Sequence, residues 1–182
     1  MTGLWRFPWW PGKSPGGSTD DLLSGPIQGD LLGAEHLAER ARVLARAQTV
    51  VRTHPLGHRA RLLERLDATR RVLDVAFARI SRETAAGGEI DPSGEWLLDN
   101  FHVIQEHIQE IRASLPRSYY RELPELAEGP LAGYPRVYEI AITLISHSEA
   151  RIDLDNVDHF VEAFQQVEPL RIGELWVVPV ML

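Results

Sequence analysis

Two aromatic and two charged residues stand side by side in Tyr119-Tyr120-Arg121-Glu122, inside the proline-bounded stretch Pro116-Arg117-Ser118-Tyr119-Tyr120-Arg121-Glu122-Leu123-Pro124. Paired tyrosines flanked by arginine can stack on sugar rings or clamp a phosphate. The same residues can instead wedge between helices, with the phenol hydroxyl hydrogen-bonded and Arg121 paired to a carboxylate. Together with Tyr134 and Arg136 farther on, they make up the candidate binding set: Tyr119, Tyr120, Arg121, Glu122, Tyr134 and Arg136.

A second group collects carboxylates and imidazoles, the raw material of metal sites: Asp99, His102, Glu106, His107 and Glu110. Asp99, His102, Glu106 and Glu110 share one helical face, but His107 falls well round the helix. No second helix offers a matching Glu-x-x-His pair, so the group reads as a solvated face with helix-internal His–Glu pairs. A metal hydrolase built on His102 and Glu106 is the least favoured function. Ser146, His147 and Ser148, near Asp153 and Asp155, supply the letters of a triad without the strand–turn–helix elbow that holds such a nucleophile. They read as the polar end of a helix, where His is favoured by the dipole. Gly87-Gly88 lacks the flanking pattern of a phosphate loop. No position is assigned a catalytic or metal role, and no cofactor is expected in this chain.

Composition narrows the classes further. The 182 residues suit one domain, or one domain and a tail, and 44 % apolar with 25 % charged residues is ordinary for a globular protein. A net charge of −7, with Lys13 the only lysine and the arginines interspersed with acids, argues against a nucleic-acid face. Without cysteine there is no disulfide framework and no thiolate site. No run of about 18 apolar residues is present, so no membrane span is expected.

The elements that must position these residues are helices. Residues 1–28 are rich in Gly, Pro and Ser and carry Trp5, Trp9 and Trp10; they read as a disordered tail whose indoles suit a partner groove or a membrane interface. Residues 29–182 read as a helical domain. Leu37, Ala41, Leu44 and Gln48 recur at helical steps, and Thr53-His54-Pro55-Leu56-Gly57 breaks that pattern. Leu62, Leu66, Thr69, Leu73, Ala76 and Ile80 mark a second helix from Ala60 to Arg82. Asp91 caps a third, Pro92 opens its first turn, and Leu97, Phe101, Ile104, Ile108, Ile111 and Leu115 form one seam. These two long helices should pair antiparallel across a Gly-rich turn. Val137–Ile145 alternates like a buried strand, but Pro135 suits a helical first turn and no other strand offers to pair, so a helix is expected. A fifth helix follows Asp153, with Leu154, Val157, Phe160, Val161, Phe164 and Val167 on one face, and the terminal segment begins a sixth. The class is all-α, an irregular bundle of about six helices.

The chain stops on Trp176-Val177-Val178-Pro179-Val180-Met181-Leu182, an apolar run with no polar residue after it. A carboxylate there either approaches a core or leaves apolar side chains in water, so the domain is expected to be incomplete at this end. Trp176, Val177, Val180 and Leu182 are the expected partner-docking residues.

Several blocks in register carry a family resemblance: Glu95-Trp96-Leu97-Leu98-Asp99-Asn100-Phe101-His102, then Leu115 through Pro124, Gly129-Pro130-Leu131-Ala132-Gly133-Tyr134-Pro135-Arg136-Val137-Tyr138, and Ile172-Gly173-Glu174-Leu175-Trp176. From Pro26 to Leu182 the chain resembles the N-terminal region of the cyclic β-1,2-glucan synthases, bacterial inner-membrane proteins that polymerise glucose from UDP-glucose. The resemblance implies a helical, non-catalytic region with a scaffolding or regulatory task, at the cytoplasmic face of the inner membrane. Its implied partner is the remainder of a glucan synthase or a separate membrane transferase. It also implies a small hydroxyl residue before Ile172, where this chain has Arg171, so the last helix should lack its usual cap. The runner-up reading is a stand-alone helical adaptor docking through the terminal apolar residues or the Trp tail.

Overall fold

The computed structural model describes residues 32–51, 60–147 and 152–182. The expected tail, with Trp5, Trp9 and Trp10, lies outside the described residues, as do the breaker at 53–57 and Ser148. Among the described residues the chain forms seven helices and one two-stranded sheet. They are α1 (Ala34–Ala47), β1 (Val50–Val51), α2 (Arg61–Ala85), α3 (Pro92–Ser114), α4 (Arg117–Tyr120), β2 (Glu125–Leu126), α5 (Arg136–His147), α6 (Leu154–Gln165) and α7 (Ile172–Met181). The all-α class is borne out. The sheet is a clasp, with β1 and β2 antiparallel and Val50 opposite Leu126.

Helices α2 and α3 form the expected antiparallel pair. Asp67 meets Arg112, the Phe77 and Phe101 rings stack with centroids 4.0 Å apart, and Ile80 lies 3.4 Å from where a Cβ on Gly94 would sit. Partners that descend along one helix as they rise along the other fix the antiparallel sense. Gly87, at φ 78°, makes the turn after α2, and Gly88 donates back to the Glu83 carbonyl at 3.0 Å. Asp91 then caps α3 by accepting from the Gly94 N–H at 2.8 Å.

The main core lies between the other helices. α1 packs chiefly on α6, and α5 packs on α7 and α1. Leu37, Ala41 and Leu44 of α1 meet Phe160 and Phe164 of α6, with Val137, Ile140 and Leu144 of α5 and Val177 and Val178 of α7 closing the cluster. In α5 the buried positions Val137, Ile140, Ala141 and Leu144 step by three and four, which settles the helix-or-strand ambiguity. A smaller cluster of Leu126, Leu131 and Tyr134 sits under the clasp. The stretch after Pro116 makes one helical turn, α4, before it reaches β2.

Phe160 is fully enclosed, so Phe160→Ala should cost about 3–5 kcal/mol. Val75, 69 % exposed, should tolerate serine within about 0.5 kcal/mol. Urea unfolding of both variants checks the assignment of core and surface.

Candidate functional site

The candidate residues converge on the start of α7. Arg136, the first residue of α5, and Glu174, in the first turn of α7, are each only 1 % exposed. Arg136 Nε donates to Glu174 Oε1 at 2.5 Å and Nη2 to Oε2 at 2.9 Å, a two-pronged pair. Nη2 also donates to the Pro169 carbonyl at 2.9 Å, and Nη1 to Glu168 Oε1 at 3.3 Å. The guanidinium lies 5.9 Å from the centroid of the Phe164 ring on α6.

Removing two charges from water costs several kcal/mol per ion, so the pair can persist only where nearly every donor is satisfied. Here four of the five N–H groups of a guanidinium are engaged. Burial opposes the charge on Arg136, but the Glu174 and Glu168 carboxylates outweigh it and raise its pKa. The backbone of Arg136 is tied as well: its N–H donates to Pro124 at 3.0 Å, and its carbonyl accepts from Gln48 Nε2 at 3.4 Å.

Glu174 also caps its own helix. Its Oε2 accepts from the Arg171 N–H at 2.9 Å. A guanidinium has no acceptor, so Arg171 cannot supply the forward cap that a hydroxyl would, and the reciprocal half of the capping box carries this end alone.

The two tyrosines part company. Tyr120 is fully buried in the core, its hydroxyl 3.5 Å from the Leu62 N–H. Burial pushes its pKa far up, and burial likewise raises that of Tyr138, which stacks on Tyr134 at 5.4 Å. Tyr119 turns toward α7, where its hydroxyl donates to the Gly173 carbonyl. Burial raises the Tyr119 pKa, helped by Glu122 and Glu174, and so keeps the proton this bond needs. A Cβ on Gly173 would lie 3.3 Å from the same hydroxyl, so the absence of a side chain there lets the two elements touch. Tyr119 and Tyr120 therefore do not face one ligand together, and Tyr134 and Arg136 lie inside the protein. Arg121 and Glu122 are exposed.

The four expected docking residues also divide. Val177 is a core residue at 1 % exposure, packed there because it follows Glu174 by three positions. Val180 and Leu182 are half-buried against that core. Trp176 projects outward, 76 % exposed. Beside it stands Ile172, 75 % exposed, a residue the sequence reading passed over although its four-residue spacing to Trp176 was legible. Ile172, Trp176 and Val180 form one wall of an apolar groove of about 670 Å³; Tyr119, Pro116 and Ala113 form the other.

The remaining chemistry-bearing groups serve local structure. His107 Nδ1 meets Glu110 Oε2 at 3.2 Å on the exposed face of α3, and His102 and Glu106 are exposed beside them. Among the described residues no three acidic or imidazole groups are gathered to hold a metal. Ser146 donates to the Thr143 carbonyl at 2.9 Å, and Asp153 caps α6 by accepting from Asp155 N–H at 3.1 Å. Among the described residues no helix is long and apolar enough to cross a membrane.

No family model matches the chain. Over 108 residues, 57 % of its length, the chain is 42 % identical to the cyclic β-(1,2)-glucan synthase NdvB of Rhizobium meliloti (strain 1021). The chain covers 4 % of that relative's length. The resemblance read from the sequence blocks is thereby shown over part of the chain, which contains an NdvB-like region.

Two outcomes test the site. Arg136→Met strands Glu174 and should cost about 3–5 kcal/mol, whereas Arg136→Met with Glu174→Leu should recover most of that loss in urea unfolding. Tyr120 and Tyr138 hold their protons more tightly folded than unfolded, so the stability they contribute is complete below about pH 10 and falls as pH rises beyond it. Tyr120→Phe should flatten that alkaline decline by up to about 1.4 kcal/mol per pH unit, read from urea midpoints across the range.

Proposed function

We propose that this chain is a non-catalytic helical scaffolding region of a cyclic β-1,2-glucan synthase-like protein. On this reading it holds a neighbouring part of the synthase, or a separate membrane transferase that uses UDP-glucose, at the cytoplasmic face of a bacterial inner membrane. The supporting observation is the outer face of α7. Ile172 and Trp176 stand three-quarters exposed on a helix whose opposite side is pinned into the core by Glu174. A helix apolar on every side belongs among other elements, and this one is covered on its inner side only by the described residues. The partial similarity to NdvB supplies the biological setting.

The chain alone, incubated with UDP-glucose, should transfer no glucose, and robust transfer would overturn the reading. In a chimera, the matched region of the Rhizobium meliloti synthase is exchanged for the corresponding stretch of this chain. Glucan synthesis should survive the exchange and be lost when the region is deleted. Undiminished synthesis after deletion would remove the scaffolding role.

A further inference from the structure

We infer that the α2–α3 hairpin is a self-association arm: two copies of the chain close their hairpins face to face into a four-helix bundle, about a two-fold axis that runs along the helices. This surface is separate from the outer face of α7 and does not depend on the scaffolding reading.

The hairpin lacks a core of its own. Of the 25 residues of α2 only Leu63 is buried, and of the 23 of α3 only Gly94, Phe101 and Ile108, whereas α5 buries six of its twelve. Helices in proteins are held mainly by packing an apolar face, and one seam between two helices covers little of either. The apolar residues left over share a side. Counting about 100° per residue from the stacked Phe77 and Phe101, Leu73, Ala76 and Ile80 turn to one side of α2, and Ile104, Trp96 and Val103 turn to the same side of α3. The Asp67–Arg112 bridge marks the opposite side. Leu73, Ala76, Ile80 and Ile104 are half-buried, and Trp96 and Val103 are exposed. The rest of the described molecule meets the hairpin at its base, where the Leu62 N–H approaches the Tyr120 hydroxyl and Ala113 adjoins α7. Toward the Gly87 turn the apolar face stands open.

Charge selects a second copy as the cover. α2 carries six arginines against four acids, a net +2, and α3 carries four acids against Arg112, a net −3. A two-fold contact must be complementary to itself, and one basic helix beside one acidic helix meets that condition. With the axis along the helices, α2 of each copy lies antiparallel on α3 of the other, basic on acidic at both contacts. An axis across the helices would lay α2 on α2 and α3 on α3, like charge on like. The first arrangement is the up-down bundle in which neighbouring helices alternate in direction. It also preserves level: Phe77 stands opposite Phe101, so Arg79, two residues on, comes level with the partner's Asp99, two residues back. Asp99 and Glu106 are exposed and make no ion pair among the described residues, so their charge is available to the incoming α2.

Size-exclusion chromatography of the full chain with light scattering, from about 1 to 100 μM, should show the mass pass from one chain to two. Trp96→Ser with Val103→Ser should hold it at one chain and leave the far-ultraviolet helix signal intact, because both side chains are exposed. Arg71→Glu with Arg79→Glu makes α2 acidic, and Asp99→Arg with Glu106→Arg makes α3 basic; either pair alone should weaken the dimer at least about tenfold at low salt. All four changes in one chain restore opposite signs and should recover the dimer, which an axis across the helices would not allow. A single-chain mass at every concentration would overturn the inference, the face then belonging to another partner. So would a dimer that survives the Trp96 and Val103 changes, one dissolved instead by Trp176→Ser, or one that the fourfold charge exchange fails to restore.

Discussion

The buried pair of Arg136 and Glu174 is the constraint on which the rest of the structure turns. It joins the first turns of α5 and α7, reaches the α6–α7 connection through Glu168 and Pro169, and lies against Phe164. Through its backbone the same arginine touches the approach to β2 and the end of α1. Most of these contacts are directional. A greasy contact at this position would tolerate rotation of α7 about its axis; a two-pronged ion pair does not. Such a pair adds little net stability over a well-packed apolar replacement, so its contribution here is the orientation of a helix.

That orientation decides what α7 shows to solvent. Successive residues are about 100° apart on a helix, so positions two before and two after Glu174 lie about 200° away on the far side. Those positions are Ile172 and Trp176, and Val180 continues the same stripe. Glu174 inward therefore means Ile172 and Trp176 outward, whatever their hydrophobicity. Val177 and Val178 follow Glu174 into the core at steps of three and four. Tyr119 braces the arrangement from α4 by bonding to Gly173, while its neighbour Tyr120, about a quarter turn round, fills the core below.

What was legible in the sequence was periodic or capped. The seam of α3 was readable because Asp91 and Pro92 mark its start and its apolar residues alternate steps of four and three, and Phe101 and Ile108 are indeed buried there. The α2–α3 pairing followed from the glycines between them. The role of Arg136 was not legible, because its partner is 38 residues away and a long-range ion pair leaves no period in the chain. Read alone, an arginine beside tyrosines looks like a ligand clamp; only the fold shows that its charge is consumed internally. The two-residue strands were invisible for a related reason. Val50 and Leu126 pair because helices bring them together, with too few residues to make an alternating pattern.

The placement of α7's apolar residues illustrates a further limit. Trp176, Val177, Val180 and Leu182 were grouped by chemistry, and hydrophobicity does not distinguish inside from outside on a helix apolar all round. In an amphipathic helix the polar residues point to water and settle the rotation. In α7 the charged residue is Glu174, and it points inward because Arg136 is there to receive it. The rule that orients other helices is thus reversed by one internal partner, and the apolar stripe is left outside as the consequence. A face exposed through such a mechanism differs from a packing defect: the energy that holds it there is spent on a satisfied ion pair inside, and the surface is available for a contact the described residues do not themselves make.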